Sequence, residues 1–240
     1  MRRQATADPS RFILRIAMLE HSVRLLARGE PGGEYVTWYE ASLVQVDEDE
    51  TKHIAGSLQG LVIDVQRALN DGADLWEDCD AADGTTEEFA TACLTRRGLI
   101  RPTFCAATDL TSDCGNVLGI TYVALQPAWR GHRLGLLFLR RFIDRVALGC
   151  SLVVCKPEPF SAGGVESKEF LHPETNVRVA TAALRRYVEL LGFVRVGKTP
   201  YHALSMEHVQ RSAEFLLEAE LPLPSELSPK ASSRRAKAMH

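Results

Sequence analysis

The chain has no hydrophobic run long enough to cross a bilayer. Its most apolar N-terminal stretch, Phe12 to Leu19, is interrupted by Arg15 and followed by Glu20, His21 and Arg24, whereas a spanning helix needs about 20 nearly uncharged residues. The same charges argue against a secretory leader, so a cytoplasmic protein that does not enter membranes is expected. Cysteine pairing motifs are also missing. Cys79, Cys93, Cys105, Cys114, Cys150 and Cys155 include no Cys-x-x-Cys pair, which excludes a zinc knuckle and gives no disulfide framework, so reduced thiols and no metal are expected. Cys150 and Cys155 border an apolar run and read as small buried hydrophobes. No internal repeat is evident, which sets solenoids and propellers aside.

Net charge is nearly absent, at −3 from 28 basic and 31 acidic residues, but its distribution is uneven. From Asp47 to Glu88 the chain is acid-rich, with only Lys52 and Arg67 as cations, while Arg96 to Arg145 is rich in arginine. A basic half suits an anionic ligand and an acidic half a cationic one; a solvated acidic face is the competing reading.

What is present is a strand, a basic turn and a helix in succession. Residues 117–125 are apolar and β-branched, Pro127 stops them, and Leu134, Leu137, Phe138, Arg141 and Phe142 recur at helical spacing. Between lies Arg130-Gly131-His132-Arg133-Leu134-Gly135. Free N–H groups at a helix start, the positive end of the helix dipole and two arginines favour an anion there, a phosphate above all.

Along the rest of the chain, a helix is expected over 11–28 from Phe12, Ile16, Leu19, Val23 and Leu26, and Gly29 to Gly33 breaks it. Tyr35–Val46 and Ile54–Val65 read as a hairpin around a charged turn. Short helices are expected over Asp74–Asp80 and Thr85–Arg97, the latter capped by Thr85 or Thr86. A short strand is expected at Thr103–Ala107, and after a 133–148 helix ended by Gly149, a buried strand at 150–155. Residues 161–173 read as a covering lid or an insertion. A helix over 174–191, strands at 193–196 and 202–206, and a C-terminal helix complete the ordered chain. The domains read as a 1–33 helical extension, a 34–206 domain, a 207–221 helix and a disordered basic tail at 222–240.

The basic turn resembles the Gln/Arg-x-x-Gly-x-Gly/Ala turn of the GCN5-related N-acetyltransferase superfamily, and Leu125-Gln-Pro127 resembles that family's Val-x-Pro strand end. Ala182 to Phe193, closing in Leu191-Gly192-Phe193, resembles its last helix. The resemblance implies an α/β fold with a mixed, mostly antiparallel sheet flanked by helices, here with extra N- and C-terminal helices. It implies acetyl transfer from acetyl-CoA to a small-molecule or peptide amine by direct attack in a ternary complex, with no metal. The strands at 117–126 and 151–156 would splay to admit the pantetheine arm. A backbone N–H at Ala124 or Leu125 would polarise the thioester, and Arg130, Gly131, His132, Arg133, Leu134 and Gly135 would hold the pyrophosphate.

The family usually has glycine where Arg133 stands, so an arginine here must point away or pair with the phosphate. Tyr187 is the candidate acid for the departing thiolate, yet it lies one residue, about 100° of helix, before the family's position, which is Val188. The strand at Thr121, Tyr122 and Val123 has no carboxylate, which leaves Glu158 and His172 as candidate bases. These departures favour a rival reading, a non-catalytic module that binds acyl-CoA or a protein partner. Nucleic-acid binding is the weaker alternative, because the arginines lie on apolar helices without interleaved exposed aromatics.

Overall fold

The computed structural model describes residues 12–20, 34–46, 50–130, 133–158 and 177–207. The long first hairpin forms as its alternating β-branched residues dictate. Strands β2 (Val36–Val46) and β3 (Lys52–Ile63) pair antiparallel from Val46↔Lys52 to Val36↔Ile63. Strand β1 (Phe12–Glu20) adds antiparallel to β2, from Phe12↔Gln45 to Glu20↔Trp38. The helix expected over 11–28 is therefore corrected to a strand over 12–20, and the sheet starts well before residue 34. Phe12, Leu14, Ile16 and Met18 fit a period of two as well as Phe12, Ile16 and Leu19 fit a helix, and pairing with β2 decides the tie.

Three short helices follow, each started by an aspartate of the acid-rich run. Asp64 accepts from the Arg67 N–H at the start of α1 (Val65–Asp71), and Asp74 from Trp76 and Glu77 at the start of α2 (Leu75–Ala82). Asp83 accepts from Thr85 and Thr86 at the start of α3 (Gly84–Cys93). The cap of α3 is thus Asp83 and neither threonine, because its carboxylate reaches two orphan N–H groups at once. Asp78, buried at 5% exposure, accepts from the Glu34 and Tyr35 amides, both at 2.9 Å, and pins the start of β2. Much of the acidic run is therefore structural.

The strand expected at Thr103–Ala107 is a helix, α4 (Pro102–Thr108). Pro102 sits in its first turn, where a missing N–H costs nothing, and Asp109 ends it in the left-handed region at φ 52°. Strand β4 (Asn116–Leu125), helix α5 (Leu134–Val146) and strand β5 (Cys150–Cys155) then follow as the sequence predicts, although α5 is closed by Ala147 and not by Gly149. The chain ends its described course with α6 (Val177–Glu189), β6 (Val194–Arg195) and β7 (His202–Ser205). The expected lid at 161–173, the helix body beyond 207 and the tail at 222–240 lie outside the described residues.

The seven strands of the described residues run β1-β2-β3-β4-β5-β7-β6, and among them only the β4–β5 pair is parallel. The fold is α/β, with a mixed, mostly antiparallel sheet between two helical layers. Leu118, Ile120, Val153, Cys155 and Leu204 pack with α5 and α6, while Val117, Leu152, Val154 and Ala203 pack with α1 to α4. This alternation is the period-two pattern of strands buried on both faces. Among the described residues, no helix is long and apolar enough to cross a membrane.

Candidate functional site

Strand β4 parts from β5 halfway along its length. Their pairing runs from Asn116↔Cys150 to Ile120↔Cys155; β5 ends there, and β4 continues to Leu125. On the other side, β3 pairs Gly60 with Ile120 but Gln59 with Tyr122, so Thr121 is an extra residue on β4. Such a bulge bends and twists its strand, and it comes immediately after the last pair with β5. Among the described residues no strand covers that side of 121–125. Buried Thr121 Oγ1, at the bulge, has no hydrogen-bond partner among them either.

The open edge has a definite polarity. The Gln126 N–H donates to the Ala55 carbonyl of β3 at 2.9 Å. Successive residues of a strand turn their backbone groups to opposite sides, so Ala124 also faces β3, whereas Val123 and Leu125 face the gap. Of the two amides expected from the sequence, Leu125 therefore lies on the open edge and Ala124 does not. The Leu125 carbonyl accepts from Arg130 Nε at 2.9 Å, which ties the basic turn back to the end of the strand.

In the turn, Arg130 follows the short helical turn Pro127–Trp129 and Arg133 opens α5; Gly131 and His132 lie outside the described residues. Arg133 is the N-cap residue at φ 60° and ψ 0°, in the left-handed region. Its carbonyl accepts from Leu136 and Leu137 at 3.0 and 3.2 Å, and it supplies no side-chain cap. No side chain of the cap residue satisfies the amides of Leu134 and Gly135, which lie at the positive end of a thirteen-residue helix. The Leu134 side chain belongs to the core, with 1% of the residue exposed.

Tyr187 reaches this point from α6. A Cβ placed on Gly135 would lie 2.7 Å from the Tyr187 hydroxyl and 3.3 Å from Leu125 Cδ1. The phenol therefore fits into the space left by a missing side chain, between the helix start and the end of β4. Burial raises its pKa above the usual phenol value, and a hydrogen bond with the Leu136 backbone pulls it the other way. Val188, the next residue of α6, is buried in the core with 7% exposed. The orientation of α6 sets Tyr187 against Gly135 and turns Val188 into the core.

Neither expected base is prominent. His172 lies outside the described residues, and Glu158 Oε2 is 3.5 Å from Lys156 Nζ. A carboxylate that the sequence places only in the acid-rich run, Glu88 of α3, stands at the end of β5, where its Oε1 accepts from Tyr201 OH at 2.7 Å and Lys156 Nζ at 3.2 Å. Its partners lie 113 and 68 residues away in sequence, so no local pattern could have identified it.

Burial pushes the Cys150 thiol up to about 12 and raises Cys155 further, which disfavours the thiolate at both. His202, fully buried beside Cys155 on the α5–α6 face, has its pKa lowered by burial, against the pull of Glu189 at 3.6 Å. Among the described residues, no group of three or more His, Cys, Asp or Glu side chains could hold a metal ion. No family model, curated protein or solved structure matches this chain.

Proposed function

We propose that this chain is an acetyltransferase of the GCN5-related kind, moving an acetyl group from acetyl-CoA to an amine by direct attack in a ternary complex. The observation that carries the reading is the convergence of three features on one seam: the parted β4–β5 edge, the uncapped start of α5 and the Tyr187 phenol between them. A bare strand edge is suited to an extended, amide-bearing ligand, which can bond to it as an added strand would. The first-turn amides, with Arg130 and Arg133, are suited to the pyrophosphate at one end of such a ligand.

In this reading the Leu125 amide and the Thr121 hydroxyl serve as donors along the open edge, and the thioester carbonyl gains most from a donor aimed at its developing oxyanion. Tyr187 supplies the proton to the departing thiolate. A phenol with a raised pKa keeps its proton at neutral pH, as a donor must, but transfer to a thiolate of ordinary pKa, about 8.5, is uphill. The Leu136 hydrogen bond and the positive end of α5 both stabilise the resulting phenolate and reduce that cost.

One observation favours the non-catalytic module: beyond its bulge β4 presents Thr121, Tyr122 and Val123 and no carboxylate. Two measurements separate the readings. A ligand that binds only the folded chain raises its apparent stability, so acetyl-CoA and CoA are expected to raise Tm and a non-nucleotide thioester is not. CoA release is then followed across a panel of amines, where Tyr187→Phe is expected to lower turnover about 10²-fold with cofactor affinity retained. A Tm shift without release from any amine supports a module that binds acyl-CoA; no shift at all removes the acetyltransferase reading and leaves only a module for a protein partner.

A further inference from the structure

On the face that α1 to α4 pack against, strands β2, β3 and β4 carry their side chains in rows. The first rows are apolar. Val36 lies opposite Ile63, and Ile63 opposite Val117; Trp38 lies opposite Leu61, and Leu61 opposite Gly119, where the Phe89 ring of α3 packs. The next two rows are polar: Glu40, Gln59 and Tyr122, then Ser42, Ser57 and Ala124. The change comes in all three strands at one level, just past the Ile120↔Cys155 pair where β5 leaves β4.

Alternation sets these residues on the same face as the apolar rows, since Glu40 and Ser42 follow Val36 and Trp38 by steps of two, and Ser57 and Gln59 lead to Leu61 and Ile63 in the same way. In β4 the bulge puts Tyr122 and not Thr121 opposite Gln59, hence on its face. A sheet face meant for a helical layer continues apolar. Here it turns into a half-buried polar floor, and among the described residues the side chains of Glu40, Ser42, Ser57 and Gln59 make no hydrogen bond or ion pair. Thr121 Oγ1, at the end of the Glu40 row beside the seam, is shielded from solvent and likewise unpartnered among them. Polar groups under partial cover are costly to leave without partners, so a floor of them is suited to a polar ligand. Half-buried Trp38 borders the floor on its apolar side.

The chemistry of the floor selects its ligand. The serine and tyrosine hydroxyls and the glutamine amide each donate and accept, while Glu40 only accepts, and the group that answers all of them is another hydroxyl. Burial raises the Tyr122 phenol above its usual range, against the charge of Arg130, so it keeps its proton to donate. Glu40 is the one charge in the two rows, and its sign disfavours phosphates and carboxylates. Neighbouring strands lie about 4.8 Å apart, and same-face residues of one strand about 7 Å apart, so side chains of two strands reach a single ring, and the aromatic border suits the ring's apolar face. We propose that this floor binds a polyhydroxylated ring compound, a sugar. The binding stands without the acetyltransferase reading; on that reading, the seam beside Thr121 narrows the acceptor to an amino sugar.

The test titrates three ring compounds into the full chain by saturation-transfer NMR: glucosamine, glucose, which has a hydroxyl in place of the amine, and cyclohexylamine, which has the ring and the ammonium without hydroxyls. Both sugars are expected to bind about tenfold or more tightly than cyclohexylamine. Gln59→Leu and, on another strand, Ser42→Ala are each expected to weaken both sugars about fivefold or more without lowering Tm, because neither removes an internal hydrogen bond; either variant that keeps its Tm serves. No sugar binding to the wild type, cyclohexylamine binding as tightly as the sugars, or sugar affinity unchanged in the folded variants overturns the proposal. The acetyl-CoA Tm shift of the wild type separates the two ideas. A shift without a preference for sugars removes the floor alone; a preference for sugars without a shift keeps the floor and removes the acetyltransferase reading.

Discussion

Gly135→Ala tests the contact between Tyr187 and the start of α5, on which the site depends. In a helix, alanine is favoured over glycine by about 1 kcal/mol, so without neighbours the change would stabilise the protein. The new Cβ, however, would lie 2.7 Å from the Tyr187 hydroxyl, inside the 3.0 Å that real Cβ contacts essentially never breach. A ring hydroxyl cannot withdraw by a simple rotamer change, and overpacking of this kind costs about 1–3 kcal/mol. The net expectation is a loss of about 1 kcal/mol, or a Tm lower by roughly 2–4 °C for a domain of this size. Leu125 Cδ1, at 3.3 Å, is the end of a flexible side chain and can yield. Tyr187→Phe removes the obstructing oxygen, at a cost of about 1 kcal/mol for the lost hydrogen bond. In that background Gly135→Ala is expected to be neutral or stabilising by up to about 1 kcal/mol. The assay is urea unfolding of all four proteins as a double-mutant cycle, with an expected coupling of about 1–3 kcal/mol. If Gly135→Ala has the same effect in both backgrounds, to within about 0.3 kcal/mol, the phenol does not lie against α5 and the assignment of Tyr187 fails.

Arg130→Glu is expected to weaken acetyl-CoA binding at least tenfold, about 1.4 kcal/mol, as measured by calorimetric titration of the folded variant. Arg133→Gly relieves a left-handed backbone at φ 60° and is expected to stabilise the fold by about 1 kcal/mol while reducing cofactor affinity; tighter binding would show that the arginine obstructs the site. His202 has its pKa lowered below 6.5, first by burial, with Arg185 and Arg195 adding to it and Glu189 opposing. The unfolded chain then takes up a proton that the folded chain resists. Stability is therefore full above 6.5 and falls as pH drops through the window beneath it, and His202→Gln should flatten that part of a urea stability profile taken between about pH 7.5 and 5. Asp78→Ala leaves the Glu34 and Tyr35 amides without their acceptor and is expected to cost about 2–3 kcal/mol in urea unfolding; an unchanged midpoint would refute the clamp.

The parts of the fold legible in the sequence are those where local pattern and tertiary packing agree. The β2–β3 hairpin and the β4–turn–α5 unit carry their own periodicity and stop signals, Pro127 among them, and the structure adds only their pairing. The N-terminal strand was ambiguous because Phe12 and Ile16 belong to both periods. At α4 the β-forming Thr103 and Phe104 outweighed the better signals, Pro102 at a helix start and Asp109 at its end. Tyr187 was legible as a candidate, but its orientation depends on how α6 lies against α5, which one helix cannot specify. Glu88 was not legible at all. An exposed glutamate beside a buried phenylalanine is the commonest pattern on a short amphipathic helix, and only the sheet brings Tyr201 and Lys156 to it.

Arg133 shows how a departure from a family pattern can be separated into backbone and side chain. Arg133 adopts a left-handed backbone, and its carbonyl accepts from both Leu136 and Leu137. Glycine adopts that backbone without cost, and an arginine adopts it at about 1 kcal/mol. The course of the backbone is thus the one a glycine would give, and the helix start retains its outward amides. What differs is the added guanidinium, carried by the residue that opens α5. Strain of this kind is kept where the surroundings impose it, and it concentrates at sites of function. The arginine therefore alters the chemistry of the turn by adding a fixed positive charge and five donors, while leaving its shape intact.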